Sequence, residues 1–285
     1  MMLENALYIV PTPIGNLSDI TLRAVEVLKE ATLIAAEDTR HSKILLDSLN
    51  IHGKKMLSCH DHNEQERAQK IIDEVRNGGS VALISDAGTP LINDPGYKLV
   101  SICVKENVIV IPLPGPCALI TALEGSGLPT DKFMFLGFFP VKERELEESL
   151  KRLEHADYTA VFYESPRRIT STVAQIAAIL PERKIAICRE LTKTFESFYR
   201  LKASEAPAFL AASPDRIKGE FVVIIGSSEN DQQDTVIDSK LTSALIELTK
   251  TAPLKQVVGV LSELCGVKKN TLYEYALKIK NRAEE

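Results

Sequence analysis

The sequence VALISDAGTP occupies residues 81–90 and places a carboxylate just after a short apolar run. Val81–Ile84 has the length of a strand, Asp86 and Gly88 follow it, and a second tight turn comes at residues 94–96. A buried strand that ends in such a loop predicts a ligand site, because glycine lets the backbone approach a ligand closely. An ordinary strand-to-helix loop with a capping aspartate remains the alternative.

The same arrangement recurs along the first 115 residues. Apolar runs at residues 7–10, 31–36 and 108–111 also end in polar, glycine- or proline-containing segments, with helix-period segments at residues 21–29 and 64–76 between them. Strands that alternate with helices predict a mostly parallel sheet. We therefore expect an α/β domain over residues 1–115.

A second set of apolar runs predicts a second α/β domain over residues 116–228. The runs lie at residues 133–139, 160–163, 184–188, 198–202 and 221–225. We expect the last two to run antiparallel, because the segment between them is short for a parallel crossover. Residues 229–239 have the composition of a linker, and helix-like segments at 241–249, 254–265 and 270–280 predict a small helical module over residues 240–285.

The composition is that of a soluble globular protein, with 45% apolar and 26% charged residues. No apolar run reaches the roughly 18 residues that span a bilayer, and residues 1–10 lack the basic start of a secretion signal, so we expect a cytoplasmic protein. The five cysteines form no Cys-x-x-Cys pair and the histidines, His60-Asp61-His62 included, lack metal spacing, so no metal is assigned. The formal net charge of −5 argues against a protein that coats nucleic acid.

Ligands of open parallel sheets bind beyond the carboxyl ends of the strands, and the unusual polar clusters of this sequence lie at those ends. The clusters are residues 11–16, 37–41, 86–95, 114–117, 164–168 and 189–193. A phosphate-binding P-loop, a dinucleotide-binding G-x-G-x-x-G unit and a G-x-S-x-G nucleophile elbow are absent from the sequence. The strand ends are therefore the candidate site.

Several clusters also have a structural interpretation. Asp38 is suited to cap the following helix, and the prolines of residues 114–116 are suited to begin a helix whose free N–H groups would otherwise meet a ligand. Ser165 is suited to an N-cap, with Pro166 in the first helical position. The charges of residues 189–193 fit either an ion pair or a general base beside a phosphate-binding cation.

Taken in order, these segments resemble the tetrapyrrole-methylase-like superfamily of methyltransferases, and within it the bacterial ribosomal RNA small subunit (cytidine-2′-O-)-methyltransferase I family. The matching segments are LYIVPTPIGNL (7–17), AEDTR (36–40), SDAGTP (85–90), DPG (94–96), PGP (114–116), FYESPR (162–167), RELTK (189–193) and KGE (218–220). The resemblance implies two α/β domains with S-adenosylmethionine in the cleft between them, and a homodimer. It also implies 2′-O-methylation of a cytidine in the decoding region of 16S ribosomal RNA.

The resemblance further implies roles for individual residues. The cofactor would lie against Pro13, Asp86, Ala87, Gly88, Thr89, Cys117, Ala118, Leu191 and Glu220, with the strand at residues 135–138 and Tyr163 nearby. The substrate would be bound by Glu37, Arg40, Glu164, Arg167 and Arg189. Two positions differ from the family pattern, with Cys117 and Asn93 where serine is expected, and residues 142–148 are more acidic than the basic stretch expected there.

Catalysis by such an enzyme needs the methyl donor and the acceptor to be held in the right orientation, and it requires no metal. A nearby base is expected to assist, because a ribose hydroxyl is a weak nucleophile. Glu190 is the first candidate for the base and Lys193 the second, since both fall beyond a strand of the second domain. The three arginines of the substrate set would hold phosphates or pair with Glu37 and Glu164.

The tail over residues 241–280 resembles the small helical tail of some family members. It also resembles a helix-turn-helix in which Lys268, Lys269, Lys278, Lys280 and Arg282 would contact phosphates. A plain helical cap is an equal alternative. Two other functions stay open: a methyltransferase of the same fold that acts on a tetrapyrrole or a protein side chain, and a noncatalytic ribosome-binding module. The acidic charge balance favours the assembled small ribosomal subunit over naked ribosomal RNA as the partner.

Overall fold

The computed structural model of the protein describes residues 3–60, 63–228, 239–265, 267 and 269–283. Residues 1–226 form one compact unit, and residues 227–285 form another. Most of the expected linker, together with Asp61, His62 and Lys268, lies outside the described residues, and so do the side chains of Lys280 and Arg282.

The first sheet is parallel throughout. Its strands, in the order β3-β2-β4-β1-β5, are β1 (Leu7–Ile9), β2 (Leu33–Ala36), β3 (Met56–Ser58), β4 (Val81–Ile84) and β5 (Val110–Pro112). The helices between them are α1 (Leu22–Glu30), α2 (Thr39–Ser48), α3 (Glu64–Arg76) and α4 (Tyr97–Lys105).

Strand β4 lies in the middle of this sheet and is buried on both faces. Ala82 and Ile84 pack with residues of α1 and α2, whereas Val81 and Leu83 pack with residues of α3 and α4. Successive side chains of a strand point to opposite faces, so helices on both faces explain why the run is apolar without alternation. The predicted parallel α/β arrangement is confirmed.

The second sheet is mixed, with strands in the order β6-β7-β10-β8-β9. The strands are β6 (Phe133–Phe138), β7 (Thr159–Glu164), β8 (Lys184–Arg189), β9 (Ser197–Lys202) and β10 (Phe221–Ile225). Helices α5 (Ala118–Ser126), α6 (Glu143–Lys151), α7 (Ile169–Ile179) and α8 (Ala206–Ala211) accompany it. Helix α5 follows β5 in the chain but packs on the second sheet.

Two sequence expectations about the second sheet are wrong. Strands β9 and β10 do not pair; each pairs antiparallel with β8 from opposite sides, so they run parallel to each other. The intervening α8 and a short 3-10 helix at Pro214–Ile217 provide the crossover. Ser165 is not an N-cap, because α7 begins only at Ile169, and the Ser165 carbonyl instead accepts the N–H groups of Arg168 and Ile169 in a turn.

The second unit consists, in its described residues, of helices α9 (Ser239–Thr249), α10 (Leu254–Cys265) and α11 (Lys269–Ala283). Their apolar faces meet in a core of their own that includes Leu245, Val258 and Leu272. Lys269 and Lys278 are exposed. Among the described residues, no helix combines the length and apolarity required to cross a bilayer.

Candidate active site

A cavity of about 330 Å³ opens where the carboxyl ends of the first sheet face the second sheet. This volume falls at the lower end of the range for small-molecule sites. From the first sheet and α5 it is lined by Ile14, Ala87, Gly88, Thr89, Ile92, Asn93, Asp94, Cys117 and Ala118. From the second sheet it is lined by Phe138, Tyr163, Glu164, Ser165, Pro166, Leu191, Glu220, Phe221 and Val222.

Short contacts between three loops form one wall of the cavity. Thr12 and Gly88 exchange both backbone hydrogen bonds, at 2.9 and 3.0 Å, which joins the loop after β1 to the loop after β4. The Thr89 hydroxyl donates to the Pro116 carbonyl at 2.8 Å and so adds the loop before α5. Gly88 has φ +80°, and a Cβ there would lie 3.2 Å from Ile14. Only glycine fits this close approach to Ile14 without strain, while the predicted close approach to a ligand stays a prediction.

The loop between β4 and α4 is held in an unusual backbone conformation where it lines the cavity. Leu91 and Asn93 have φ of +73° and +64°, in the left-handed region that non-glycine residues rarely occupy. Ile92, Asn93 and Asp94 contribute to the lining. Such strain persists only where the surrounding structure enforces it, and it is concentrated at functional sites.

The opposite wall depends on a bulge in β6. The pairing of β6 with β7 shifts register between Phe135 and Phe138, and Gly137 within the bulge has φ +70°. Phe138 therefore faces the cavity beside Tyr163, with ring centroids 5.7 Å apart in an edge-on arrangement. Burial raises the pKa of the Tyr163 phenol well above its usual range, so this hydroxyl stays protonated and is available as a neutral donor.

A charged triad lies at the rim, where the ends of β8 and β10 meet. Lys193 Nζ lies 3.1 Å from Glu190 Oε1 and 2.9 Å from Glu220 Oε2. The backbone N–H of Glu220 also donates to Glu190 Oε1, at 2.9 Å. Burial acts to raise the pKa of Glu190, but the Glu220 N–H and the Lys193 ammonium together outweigh it, and the pKa is lowered from its usual value.

The same triad keeps Lys193 charged. Burial alone would lower the pKa of Lys193, but its hydrogen bonds to Glu220 and Glu190 raise that pKa above the usual value. The ammonium therefore remains protonated near neutral pH and acts as a hydrogen-bond donor and counter-charge. This protonation argues against Lys193 as a general base and leaves Glu190 as the stronger candidate.

The turn that carries Glu190 and Lys193 is strained and fits tightly against the loop after β1. Glu190 and Thr192 have φ of +49° and +63°, which is unusual above all for a β-branched residue. Gly15, in the loop after β1, leaves no room for a side chain, because a Cβ there would collide with Lys193. The loop after β1 and the turn after β8 are thus in direct contact at the rim of the cavity.

The structure brings together most residues expected around a cofactor. Ala87, Gly88, Thr89, Cys117, Ala118, Leu191 and Glu220 line the cavity, whereas Pro13 and Asp86 do not. Asp86 instead lies beside the segment that follows β2: its carboxylate accepts the Asp38 N–H at 3.3 Å, and its own N–H donates to Glu37 at 3.4 Å. This places Glu37 and Asp86 behind the lining loop.

The residues expected to bind substrate are dispersed. Asp38 caps α2, as the structural interpretation predicted, and also pairs with Arg40, whose side chain is 90% exposed. Arg167 is exposed and makes no side-chain hydrogen bond within the described part of the chain. The guanidinium of Arg189 is buried and donates to the carbonyls of Lys218 and Phe195 at 2.5 and 2.9 Å, which argues against its expected contact with a substrate phosphate.

Glu164 lines the cavity, but internal contacts take up both of its carboxylate oxygens. Oε1 accepts the Ser165 N–H at 2.7 Å and pairs with Arg168, also at 2.7 Å, while Oε2 accepts the Thr172 hydroxyl at 2.6 Å. These contacts make Glu164 a support for the cavity wall, which speaks against the expected direct contact with substrate.

Sequence reasoning missed several lining residues. Ile14, Ile92, Ser165, Pro166, Phe221 and Val222 were not singled out for the site. Each lies within or next to a segment that was, so the signal was the segment rather than the residue type. Among the described residues, no group of three or more histidine, cysteine, aspartate or glutamate side chains is arranged to hold a metal ion.

A profile of the tetrapyrrole (corrin/porphyrin) methylases matches residues 6–207, which contain the first sheet, strands β6–β9 of the second sheet and most of the cavity lining. Ribosomal RNA small subunit methyltransferase I of Escherichia coli O157:H7 is 46% identical over 276 residues, covering 96% of each chain. The chain belongs to the ribosomal RNA small subunit methyltransferase I family. The enzyme of that name from Vibrio cholerae is also 46% identical, over 95% of this chain and 94% of its own.

Two further comparisons concern the helical tail and the fold. A profile described as the RsmI C-terminal HTH domain matches residues 235–280. The crystal structure of uroporphyrin-III C-methyltransferase from Thermus thermophilus, in complex with S-adenosylhomocysteine, aligns with a TM-score of 0.52 at 18% identity, covering 78% of this chain and 97% of that one. At that identity the likeness shows the fold alone.

Proposed function

We propose that this chain transfers a methyl group from S-adenosylmethionine to the ribosomal RNA of the small subunit. The observation that carries the proposal is the 46% identity to a ribosomal RNA small subunit methyltransferase I over 96% of both chains. A match over 96% of both chains extends across the segments that line the cavity. The finer proposal is that the acceptor is the 2′-oxygen of a cytidine in the decoding region of 16S ribosomal RNA.

The cavity has the chemistry that this cofactor requires. S-adenosylmethionine carries an aromatic base, hydroxyls, an amino acid group and a positive sulfonium. Ile14, Leu191 and Val222 offer apolar surface for the base, and the carboxylates of Asp94 and Glu220 offer acceptors and negative charge for hydroxyls and cationic groups. Gly88 offers backbone without a side chain at a close approach. The residues present therefore fit the cofactor.

The chemistry supplied by bound S-adenosylmethionine is an electrophilic methyl group, so the chain must orient the acceptor and handle one proton. We propose that Glu190 accepts the hydrogen bond, and then the proton, of the attacking hydroxyl. Lys193 holds Glu190 ionised and in place through the 3.1 Å contact with Oε1. The Glu220 N–H and the Lys193 ammonium lower the pKa of Glu190, so the carboxylate is ionised and able to accept the proton of the hydroxyl that it orients.

Recognition of the substrate calls for cationic side chains at the surface. Arg40 and Arg167 are exposed, and we propose them for contact with RNA phosphates. The exposed Lys269 and Lys278 of the helical module are further candidates. With a net charge of −5, the chain is better suited to a few contacts on an assembled small subunit than to extended wrapping of naked RNA. We further propose that the chain forms a homodimer and acts in the cytoplasm.

The test is methyl transfer from labelled S-adenosylmethionine to small ribosomal subunits and, in parallel, to protein-free 16S ribosomal RNA, both from cells that lack the enzyme. We expect label on subunits, in one nuclease fragment, at a ribose that resists alkaline cleavage. Label on a base would overturn the 2′-oxygen, and preference for naked RNA would overturn the assembled substrate. Cofactor binding without label on either would leave a methyltransferase with another acceptor, such as a tetrapyrrole or a protein side chain.

A further inference from the structure

Glu64 is a buried carboxylate that the proposed chemistry does not use. It is the first residue of α3 and is 2% exposed. Oε1 accepts the backbone N–H of Gly96 at 3.0 Å, and Oε2 accepts the N–H of Leu99, also at 3.0 Å. A buried carboxylate needs partners to offset its desolvation, and here the described hydrogen bonds are to the start of another helix.

These two bonds are those that a helix N-terminus normally receives from its own residues. Gly96 is the N-cap of α4 and has no side chain to accept the N–H of the third helical residue, which is Leu99. In a capping box, a side chain of that third residue would also accept the N–H of the N-cap. Glu64 replaces both acceptors with one side chain from a different helix. Its negative charge also lies in the first turn of α3 and beside the first turn of α4, where helix dipoles favour an anion.

The N-terminus of α4 is the anchor of the loop that lines the cavity. The loop over residues 91–95 leads directly into Gly96, and Ile92, Asn93 and Asp94 belong to the cavity lining. Gly96 has φ +127°, and a Cβ there would lie 3.2 Å from both Leu83 and Leu91. Leu91 at the start of the loop therefore packs against Gly96 at its end. Leu91 and Asn93 adopt left-handed conformations, which persist only where neighbouring residues hold them.

Asn93 connects this anchor to the opposite wall. A Cβ built on Gly137, in the bulge of β6, would lie 3.2 Å from Asn93 Oδ1. The next residue of that strand, Phe138, lines the cavity. A shift of the 91–95 loop would therefore change both the carboxylate that Asp94 offers and the space beside Phe138.

We propose that Glu64 is a positioning residue: by holding the backbone N–H groups of Gly96 and Leu99, it fixes the 91–95 loop in the conformation that binds the methyl donor. This inference rests on the proposed function, because it takes the cavity as the cofactor site. Glu64 touches neither the cavity nor the triad of Glu190, Lys193 and Glu220, so its effect is carried by the loop.

The test compares Glu64→Gln with Val75→Ala in the full chain. Gln keeps the shape of the side chain but replaces one acceptor by a donor, which cannot bond to a backbone N–H. Val75 is a buried residue near the other end of α3 that packs in the core under the first sheet, and its truncation gives a matched loss of stability away from the loop. Both variants are measured well below their melting temperatures.

Two readouts separate positioning from a general loss of stability. Calorimetric titration with S-adenosylmethionine is expected to show Kd raised about tenfold in Glu64→Gln, as for loss of one charge-assisted hydrogen bond, and unchanged in Val75→Ala. Hydrogen exchange of the free proteins is expected to be faster in residues 91–94 of Glu64→Gln only. In turnover, KM for the methyl donor should rise while KM for small subunits stays constant.

Unchanged Kd with unchanged exchange at residues 91–94 in a folded Glu64→Gln variant would overturn the inference, and so would an equal rise of Kd in Val75→Ala. If Glu64→Gln does not fold, Glu64→Asp replaces it; Asp keeps both oxygens but is one methylene shorter, and the same two readouts apply. Failure of the proposed function gives a different result, because the wild-type chain itself would then not bind S-adenosylmethionine. The exchange experiment would still show whether Glu64 holds the 91–95 loop.

Discussion

Gly219 lies directly against the side chain of Glu190: a Cβ built on Gly219 would meet the Glu190 carboxyl carbon at 2.5 Å. Gly219 also has φ +91°, and the next residue donates its N–H to Glu190 Oε1. The backbone at this position therefore sets the orientation of the candidate base, and a side chain would displace it.

Replacement of Gly219 by alanine is expected to reduce both stability and turnover. The left-handed backbone costs about 1–2 kcal/mol for a non-glycine residue, and the clash with Glu190 adds to it. Gly78→Ala is the matched control, since Gly78 has the same φ of +91° with nothing within 4 Å of its Cβ position. Thermal unfolding and methylation assays should show a stability loss in both variants but a loss of kcat only in Gly219→Ala. Equal kcat in the two variants would contradict this role.

Replacement of Glu190 by glutamine is expected to lower kcat by about 10²- to 10⁴-fold, the range for loss of a general base, while S-adenosylmethionine still binds. The amide keeps the shape of the side chain but cannot take the proton. Glu182→Gln, which removes one partner of the exposed pair with Lys202, serves as control and should be fully active. Turnover near the wild-type level in Glu190→Gln would rule out the base assignment.

Replacement of Lys193 by methionine is expected to move the acidic limb of the pH–rate profile to higher pH. Lys193 is one of the groups that lower the pKa of Glu190, so without it that pKa rises and the carboxylate is protonated at a higher pH. Lys202→Met is the control. An acidic limb that stays in place would show that another group limits the rate.

The lowered pKa of Glu190 also has a consequence for stability. A carboxyl whose folded pKa lies below its usual 4.5 stabilises the fold above that pH, and this stabilisation is lost as the pH falls through the lowered value. The difference in melting temperature between wild type and Glu190→Gln should therefore shrink on acidification. A difference independent of pH down to strongly acidic conditions would contradict the direction of the shift.

Thiol reactivity offers a probe of the cavity. Burial raises the pKa of Cys59 and Cys103 to about 11 and that of Cys188 to about 12, so these thiols should be inert to a thiolate reagent in the native protein. Cys265 is exposed and Cys117 lines the cavity, so both should react. S-adenosylhomocysteine should slow modification of Cys117 and leave Cys265 unaffected, with Cys117→Ser as the control. Equal rates with and without it would place the cofactor elsewhere.

Much of the fold follows from local pattern. The apolar run of Val81–Ile84 was recognised as a buried strand from its own residues, and the structure adds that helices cover both of its faces. Gly88 was recognised in the same way, as a glycine that closely follows such a strand, and the structure gives it φ +80° next to Ile14. The division into domains at residues 115, 228 and 239 stays a prediction.

The tertiary structure determines which charged side chains pair with each other. The sequence placed Glu190 and Lys193 at one strand end, but Glu220 joins them because β10 pairs antiparallel with β8, with Phe221 opposite Arg189. The same pairing order reversed the expected relation of β9 and β10. Glu164 and Arg189 were expected from the sequence to bind substrate, but both are buried and bond to the backbone as internal supports.

The sequence by itself determined the alternation of strands and helices, the glycine-dependent loops and the strand ends at which a site must lie, because these depend on residues adjacent along the chain. The tertiary structure decided which of those polar residues face the cavity, which carry altered pKa values and which only brace the loops, as Glu64 does from another helix. Solvent exposure and hydrogen-bond partners depend on residues that are far apart along the chain. Glu190 and the N–H of Glu220, for example, are 30 residues apart. Such contacts form only when the packing of the fold brings the two segments together, so no local pattern of residues predicts them.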